Sequence, residues 1–297
     1  MQTKFSILWA FLGIATVAGR GSAQTPPPVP AASVPHPVPH SLTGNVLLFR
    51  DFPAKRLPAR TVAIYLPPGY HRPSEKNRRY PVLYLQDGQN LFDGATAFLP
   101  GKEWRVDETA DRLIRANRIE PILIVGIYNS GMERINEYSP QKDRKYGGGK
   151  ADAYGDWLCH ELKPFIDRHF RTGKAPEQTA IGGSSLGGLV SLYLALRHPA
   201  TFGRAAVLSP SVWWADRAIL SAVRTTPRTP LKIWLDIGTA EGENALPDAR
   251  LLRDALRERG WQTGVDLQYL EAEGAKHNEE AWAARVEPML RFLFSKP

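Results

Sequence analysis

Residues 178–196 read QTAIGGSSLGGLVSLYLAL, and their reading decides the fold. A short apolar run, Thr179-Ala180-Ile181, meets Gly182-Gly183, then Ser184-Ser185, then Leu186-Gly187-Gly188, and an apolar stretch of helical length follows. Gly183-Ser184-Ser185-Leu186-Gly187 fits the pattern G-x-S-x-G with Ser185 at its centre; Ser184 cannot be the centre, because the fifth residue of that frame is Leu186. The pattern describes a strand that turns into a helix so tightly that the serine adopts a strained backbone and its hydroxyl stands exposed. Glycine is required on either side because a Cβ there would meet the adjoining strand or helix. The strand before and the apolar helix after are the context the motif needs.

The rest of the chain bounds the problem from outside. It has 297 residues, 43% hydrophobic and 23% charged, enough for one large domain with a sizeable core. The net charge of +8 comes from scattered lysines and arginines with no basic helix or aromatic-interleaved basic patch, so nucleic acid is not an expected partner. The single cysteine, Cys159, cannot form an internal disulfide and lies on an amphipathic helix as a buried structural thiol. Residues 1–23 have the form of a secretory signal peptide. Lys4 precedes an apolar core from Phe5 to Ala18, and the small residues Gly21-Ser22-Ala23 precede the cut. That core is short for a bilayer span and no other stretch is long and apolar enough, so an exported protein without stable membrane insertion is expected. Residues 24–41 form a linker, with seven prolines between 24 and 40 that suit neither helix nor sheet; His36 and His40 belong to this solvated tail.

From residue 42 to 297 the pattern is that of one folded domain. Strands are expected at Asn45–Phe49, Arg60–Leu66, Pro81–Leu85, Pro121–Ile127, Thr179–Ile181, 205–208, 231–237 and 265–270. Several are apolar throughout and so buried on both faces. Helices are expected around Val106–Ile114, 157–170, after the elbow, over 249–259 and over 279–294, the last kinked at Pro288. Strands alternating with helices give an α/β protein, a mostly parallel sheet with helices on both faces. A serine elbow on such a sheet is the α/β-hydrolase arrangement. Tyr128 to Ala153 is the longest irregular connection and is placed to overhang a site.

A serine hydroxyl needs a base, an orienting acid and an oxyanion hole to act as a nucleophile. In this fold the order along the chain is Ser, acid, His. Of seven histidines only His198 and His277 follow Ser185, and His198 ends the elbow helix before any suitable acid. His277, in the loop before the last helix, is the base. The acid belongs after strand 231–237. Glu241, on a glycine-bounded loop, is the first choice, with Asp236, Glu243 and Asp248 as the alternatives. One oxyanion donor is the N–H of Leu186. The other comes from the Gln86–Asn90 loop, where Gly88 lets the backbone turn inward and present the N–H of Gln89.

The chain resembles the Putative esterase family of α/β-hydrolases. That family includes enterochelin (siderophore) esterases, carbohydrate esterases with feruloyl or acetyl-xylan activity, esterase D-type enzymes and mycobacterial mycolyltransferases. The resemblance covers about residues 42–296. It is carried by Tyr84–Phe92, Trp104 with Asp107, Arg134 with Glu137-Tyr138-Ser139-Pro140, and Gly183–Gly188. Ser209-Pro210-Ser211 with Trp213-Trp214, Gly238–Glu241, and His277-Asn278-Glu279 with Trp282 carry the rest. It implies Ser185 as nucleophile, His277 as base, Glu241 as acid, and Gln89 and Leu186 as oxyanion donors. Some siderophore esterases of the family lack a proper third member. Arg134, Tyr138, Trp213 and Trp214 lie on connections over the strand ends and are the candidate substrate contacts; a tryptophan pair can seat an aromatic acyl group or a sugar. The expected activity is hydrolysis of a carbohydrate-linked acyl ester or a siderophore-type ester through an acyl-enzyme, with no metal or organic cofactor. Acyl transfer of the mycolyltransferase type, a serine peptidase using the same triad, and a binding module that kept the fold without the chemistry are the alternatives.

Overall fold

The computed structural model describes residues 38–296, so the signal peptide and most of the linker lie outside the described residues. The main sheet has eight strands: β1 (Asn45–Phe52), β2 (Arg60–Leu66), β3 (Val82–Gln86), β4 (Leu123–Ile127), β7 (Thr179–Ser184), β8 (Arg204–Leu208), β9 (Lys232–Gly238) and β10 (Leu267–Ala272). Between them, β5 (Lys142–Asp143) and β6 (Gly147–Gly148) make a small separate hairpin. The order across the main sheet is β1-β2-β4-β3-β7-β8-β9-β10. β1 and β2 are antiparallel; from β4 through β10 every pairing is parallel, so the carboxyl ends of β3, β4, β7, β8 and β9 share one edge.

Helices α1 (Val106–Arg115), α2 (Arg134–Glu137), α3 (Ala151–Trp157), α4 (Lys163–His169), α5 (Leu186–Arg197), α6 (Trp214–Thr225), α7 (Ala245–Glu258) and α8 (Glu279–Phe294) fill the connections. Alternating residues of the central strands feed two cores. Tyr84, Ile181, Val207 and Leu235 pack with Trp157, Leu189, Val190 and Leu256. Leu83, Leu85, Ala180 and Ala206 pack on the other face with Leu113, Met289 and Leu290. Burial on both faces is why these strands read as unbroken apolar runs.

Several expectations shift. The last strand begins at Leu267, two residues later than 265, because Asp266 accepts the Gln262 N–H at 2.7 Å and closes a turn that leaves Val265 exposed. Helix α7 starts at Ala245, four residues before 249, with Pro247 in its first turn, where a missing N–H breaks no helical bond. Helix α8 passes Pro288 as one element, its buried Trp282, Val286, Leu290 and Phe294 outweighing the local cost. The helix expected at 157–170 runs from Ala151 to His169 with a π-helical stretch at Leu158–Leu162. Cys159 lies in that stretch, partly buried, and burial pushes its thiol up to about 11, which suits an inert packing residue. Helix α6 is not evident from the sequence, and Ala215, Asp216 and Arg217 at its start have left-handed backbone. The end of the linker touches the domain while staying exposed: His40 Nδ1 sits 2.6 Å from Asp93 Oδ2, and Ser41 N–H donates to Asp93 Oδ1 at 3.2 Å.

Candidate active site

Ser185 sits between β7 and α5 with φ 57° and ψ −125°, a region that side chains other than glycine rarely enter. Leu208 O accepts the Ser185 N–H at 3.0 Å, and Ser185 O accepts from Ser211 N at 3.1 Å and Leu189 N at 3.0 Å, so hydrogen bonds on both sides hold the turn. A Cβ on Gly183 would stand 2.9 Å from the Gln86 Cβ, and one on Gly188 would stand 2.9 Å from Leu208 O. The glycines are there for space. Among the described residues the one hydrogen-bond partner of Ser185 Oγ is Ser211 Oγ, at 3.2 Å.

His277 occupies the loop between β10 and α8, and its Nδ1 lies 2.7 Å from Glu241 Oε2. The imidazole is partly exposed, whereas the Glu241 carboxylate is fully buried. Its other oxygen, Oε1, accepts from Gly238 N at 2.8 Å and from Ser209 Oγ at 2.5 Å. Burial pushes the Glu241 carboxyl up, but the hydrogen bonds from His277, Ser209 and Gly238 outweigh it and hold the group below its usual range. Trp282 packs edge-on against the imidazole, with ring centroids 4.9 Å apart.

Behind this pair lies a network that joins Ser209, Asp236 and Trp282 through Arg285, which the sequence did not single out. Arg285 on α8 donates to Asp236 Oδ1 at 2.8 Å and to Ser209 Oγ at 3.1 Å, and reaches Glu241 Oε1 at 3.5 Å. Trp282 Nε1 donates to Ser209 Oγ at 3.0 Å, and Trp234 Nε1 to Asp236 Oδ2 at 2.6 Å. Burial raises the Asp236 carboxyl to about 6 despite Arg285. The other candidate acids are thereby placed: Asp236 faces Arg285, Asp248 pairs with Arg217 at 2.6 Å, and Glu243 is exposed. The signal that could have found Arg285 is a lone arginine on the inner face of an apolar helix, which must have a buried anionic partner.

Leu186 is the first residue of α5, where backbone N–H groups have no intrahelical acceptor. Gln89 lies in the 3₁₀ turn Gly88–Asn90, entered through Asp87 in the left-handed conformation. A Cβ on Gly88 would lie 2.5 Å from the backbone of Gly126, so the turn can pack only as glycine. Asp87 is clamped by Arg134 (2.7 and 2.8 Å) and by Asn129 Nδ2 (2.7 Å). Tyr138 Oη accepts the Asp87 N–H at 3.3 Å. The candidate contacts therefore divide. Tyr138 is fully buried and Trp214 nearly so, its Nε1 donating to Gln141 O at 2.7 Å; both pack the loops together and offer no face to a ligand. Arg134 is mostly committed to Asp87. Trp213 is 48% exposed and stands with Tyr146 at a ring distance of 5.7 Å. Tyr146, which sequence reading passed over, is brought there by the β5–β6 hairpin.

Comparison with known proteins fits this geometry. The family model described as "Putative esterase" matches residues 58–293. The chain is 28% identical over 243 residues to an endo-1,4-beta-xylanase/feruloyl esterase of Xylanibacter ruminicola, covering 79% of this chain and 29% of that one. It is 26% identical over 226 residues to the ferri-bacillibactin esterase BesA of Bacillus subtilis, covering 67% of this chain and 73% of the other. Among solved structures, the BES protein from Bacillus cereus superposes with a TM-score of 0.69 at 23% identity, covering 86% of this chain and 97% of that one. The chain belongs to the Putative esterase family and is a carboxylic ester hydrolase of the α/β-hydrolase fold.

Proposed function

We propose that the protein is an exported serine esterase acting through Ser185, His277 and Glu241. The observation that supports the triad most is a partly exposed imidazole bound through Nδ1 to a buried carboxylate, beside a strained serine elbow at the end of β7 in the same sheet. His277 Nε2 takes the Ser185 proton as Oγ attacks the ester carbonyl. The N–H groups of Gln89 and Leu186 receive the charge that develops on the carbonyl oxygen. The imidazolium gives its proton to the departing alcohol, leaving an acyl-enzyme. Water then attacks with His277 as base, and the acid leaves as Ser185 recovers its proton. Ser211 Oγ accompanies Ser185 in the resting enzyme and gives way as the imidazole closes on it.

For substrate, the reading is an ester with an aromatic or otherwise apolar acyl group, of the siderophore or feruloyl kind. It is supported by the relatives' activities and by the rim of the site. Phe98, Leu99, Met132, Ile135, Tyr146 and Trp213 are exposed large apolar side chains, all on connections that leave the carboxyl ends of β3, β4 and β8. Exposed apolar side chains at this end of the sheet, with Tyr146 and Trp213 in contact, suit a binding surface. Export rests on the leader at residues 1–23.

The test is a panel of short-chain nitrophenyl esters, methyl ferulate, acetylated xylan and ferric enterobactin, with Ser185→Ala as control. A hundredfold preference, about 2.7 kcal/mol in the transition state, names the class. Ser185→Ala with near-full activity sinks the proposal.

A further inference from the structure

Three carboxyl side chains meet around the start of α1, beside Trp104, whose ring packs against Trp282. Glu103, Asp107 and Glu108 each bring an oxygen within 4.8 Å of the other two. Asp107 is fully buried and Glu103 is 9% exposed. One oxygen of each is accounted for. Glu103 Oε1 accepts the Ser41 hydroxyl at 2.5 Å. Asp107 Oδ2 accepts the N–H groups of Thr43 and Gly44, at 3.1 and 2.8 Å, and the Thr43 hydroxyl at 3.4 Å. Glu108 Oε1 faces Arg105 Nε at 3.6 Å.

The remaining oxygens, Glu103 Oε2, Asp107 Oδ1 and Glu108 Oε2, are buried without any hydrogen-bond partner among the described residues. A buried acceptor without a donor is costly, and an anionic one more so. Here all three belong to one cluster of carboxylates. Arg105 is two-thirds exposed and pairs with Glu108. The start of α1 favours negative charge, but that preference amounts to less than about 1 kcal/mol per group and does not offset three.

We propose that Glu103, Asp107 and Glu108 bind a divalent cation, calcium by preference, which fastens the segment Ser41–Gly44 to the body of the enzyme. The donors are all hard oxygens, with no His or Cys among them, which disfavours zinc and copper. Calcium sits about 2.4 Å from its ligands, so two oxygens on one ion stand at most about 4.8 Å apart. All three carboxylates bring an oxygen within that bound of one another. Magnesium at about 2.1 Å demands about 4.2 Å or less and a stricter octahedron. The ion's role is structural. Ser41, Thr43 and Gly44 are bonded to these same carboxylates, so a cation that fixes Glu103 and Asp107 also fixes the strand leading into β1.

The experiment uses the full-length mature protein, stripped with chelator and then titrated with calcium chloride at neutral pH, reading Tm. With a Kd of about 1 mM, typical of weak extracellular sites, 10 mM calcium raises Tm by about 3–5 °C. Magnesium at the same concentration gives less. Glu103→Gln with Glu108→Gln abolishes the calcium response; Asp107 is left intact because it holds Thr43 and Gly44. Terbium luminescence, excited through the neighbouring Trp104 and displaced by calcium, gives a second readout that needs no unfolding. It appears in the wild-type protein and not in the double variant. No calcium effect on Tm and no terbium signal in the wild type overturns the proposal. So does a calcium response that persists in the double variant. A protein that ignores calcium but gains stability on mild acidification has a proton shared between the carboxyls in place of the ion, and that result overturns it too.

Discussion

Replacing Glu241 by Gln tests the reading of the triad more sharply than deleting it does. The amide is nearly the size of the carboxylate, but its two ends differ. On the Oε1 side stand the Gly238 N–H at 2.8 Å and the Ser209 hydroxyl at 2.5 Å, with Arg285 at 3.5 Å. The Ser209 hydroxyl has no freedom to turn round. Its oxygen already accepts from Trp282 and Arg285, so its single proton must point at residue 241. Placing an amide NH₂ against these donors costs on the order of 1–3 kcal/mol for each bond lost. The amide oxygen therefore takes that side and the NH₂ faces His277 Nδ1, 2.7 Å away in the parent. Nδ1 must then accept, the ring proton moves to Nε2, and the imidazole can no longer take the serine proton. The expected loss in kcat is about 10⁴-fold, or about 5.4 kcal/mol, the size seen when a triad imidazole is locked in the wrong tautomer. Glu241→Ala leaves the ring free to choose its tautomer and retains at least about tenfold more activity than the amide variant. The assay is turnover of a nitrophenyl ester, with Ser185→Ala as baseline and thermal melting to confirm folding. A Gln variant within tenfold of wild type, or an Ala variant slower than Gln, refutes the reasoning.

Four further outcomes follow from the same geometry. Arg285→Met leaves the buried Asp236 carboxylate without its cation and costs about 3–5 kcal/mol in urea unfolding; a loss under about 1 kcal/mol contradicts the pairing. Gly188→Ala forces a Cβ to 2.9 Å from Leu208 O and 3.1 Å from Gly183 O, both backbone, and lowers stability by about 1–3 kcal/mol together with activity. Trp213→Ala raises KM for aromatic esters about tenfold, leaves acetyl esters unchanged and alters stability by less than about 0.5 kcal/mol; equal effects on both esters argue against an aromatic-binding rim. The Glu241 carboxyl is held below its ordinary 4.5 in the native state, so its contribution is fully present above that pH and is lost as pH falls through the native value. Unfolding titrations at about pH 5 and about pH 3 therefore show a smaller acid loss for Glu241→Gln than for wild type.

The elbow and the sheet were legible because each is local. β2 reads as a strand from Arg60 to Leu66 on its own residues, and Gly183–Gly187 declares a turn without reference to the rest of the chain. Chain order then singled out His277. What escaped is long-range or conformational. Ser209 lies 73 residues from Trp282 and 76 from Arg285, and nothing along the chain says that the three meet. Helix α6 hides because its first residues adopt left-handed angles that Ala, Asp and Arg do not advertise. Tyr138 and Trp214 were taken for contacts on the strength of their loops, whereas large aromatics packed under a long loop are also what stops it from collapsing. Tyr146 was missed for the converse reason: a two-residue ladder, too short to register as a pattern, delivers it to Trp213.

The last stretch of chain has a consequence for when the enzyme becomes active. Ser185 lies near the middle of the sequence, but His277, Trp282 and Arg285 all come from the β10–α8 loop and α8 itself. During synthesis the elbow emerges well before the groups that orient its base. A ribosome that has delivered everything through α7 has made Ser185, Glu241 and all of the main sheet except its last strand, but not His277. Chemical competence therefore arrives last, with the docking of a single C-terminal helix. With His277 as the proposed base, a chain whose α8 is cut or undocked is expected to be silent as an esterase however much of its sheet has formed.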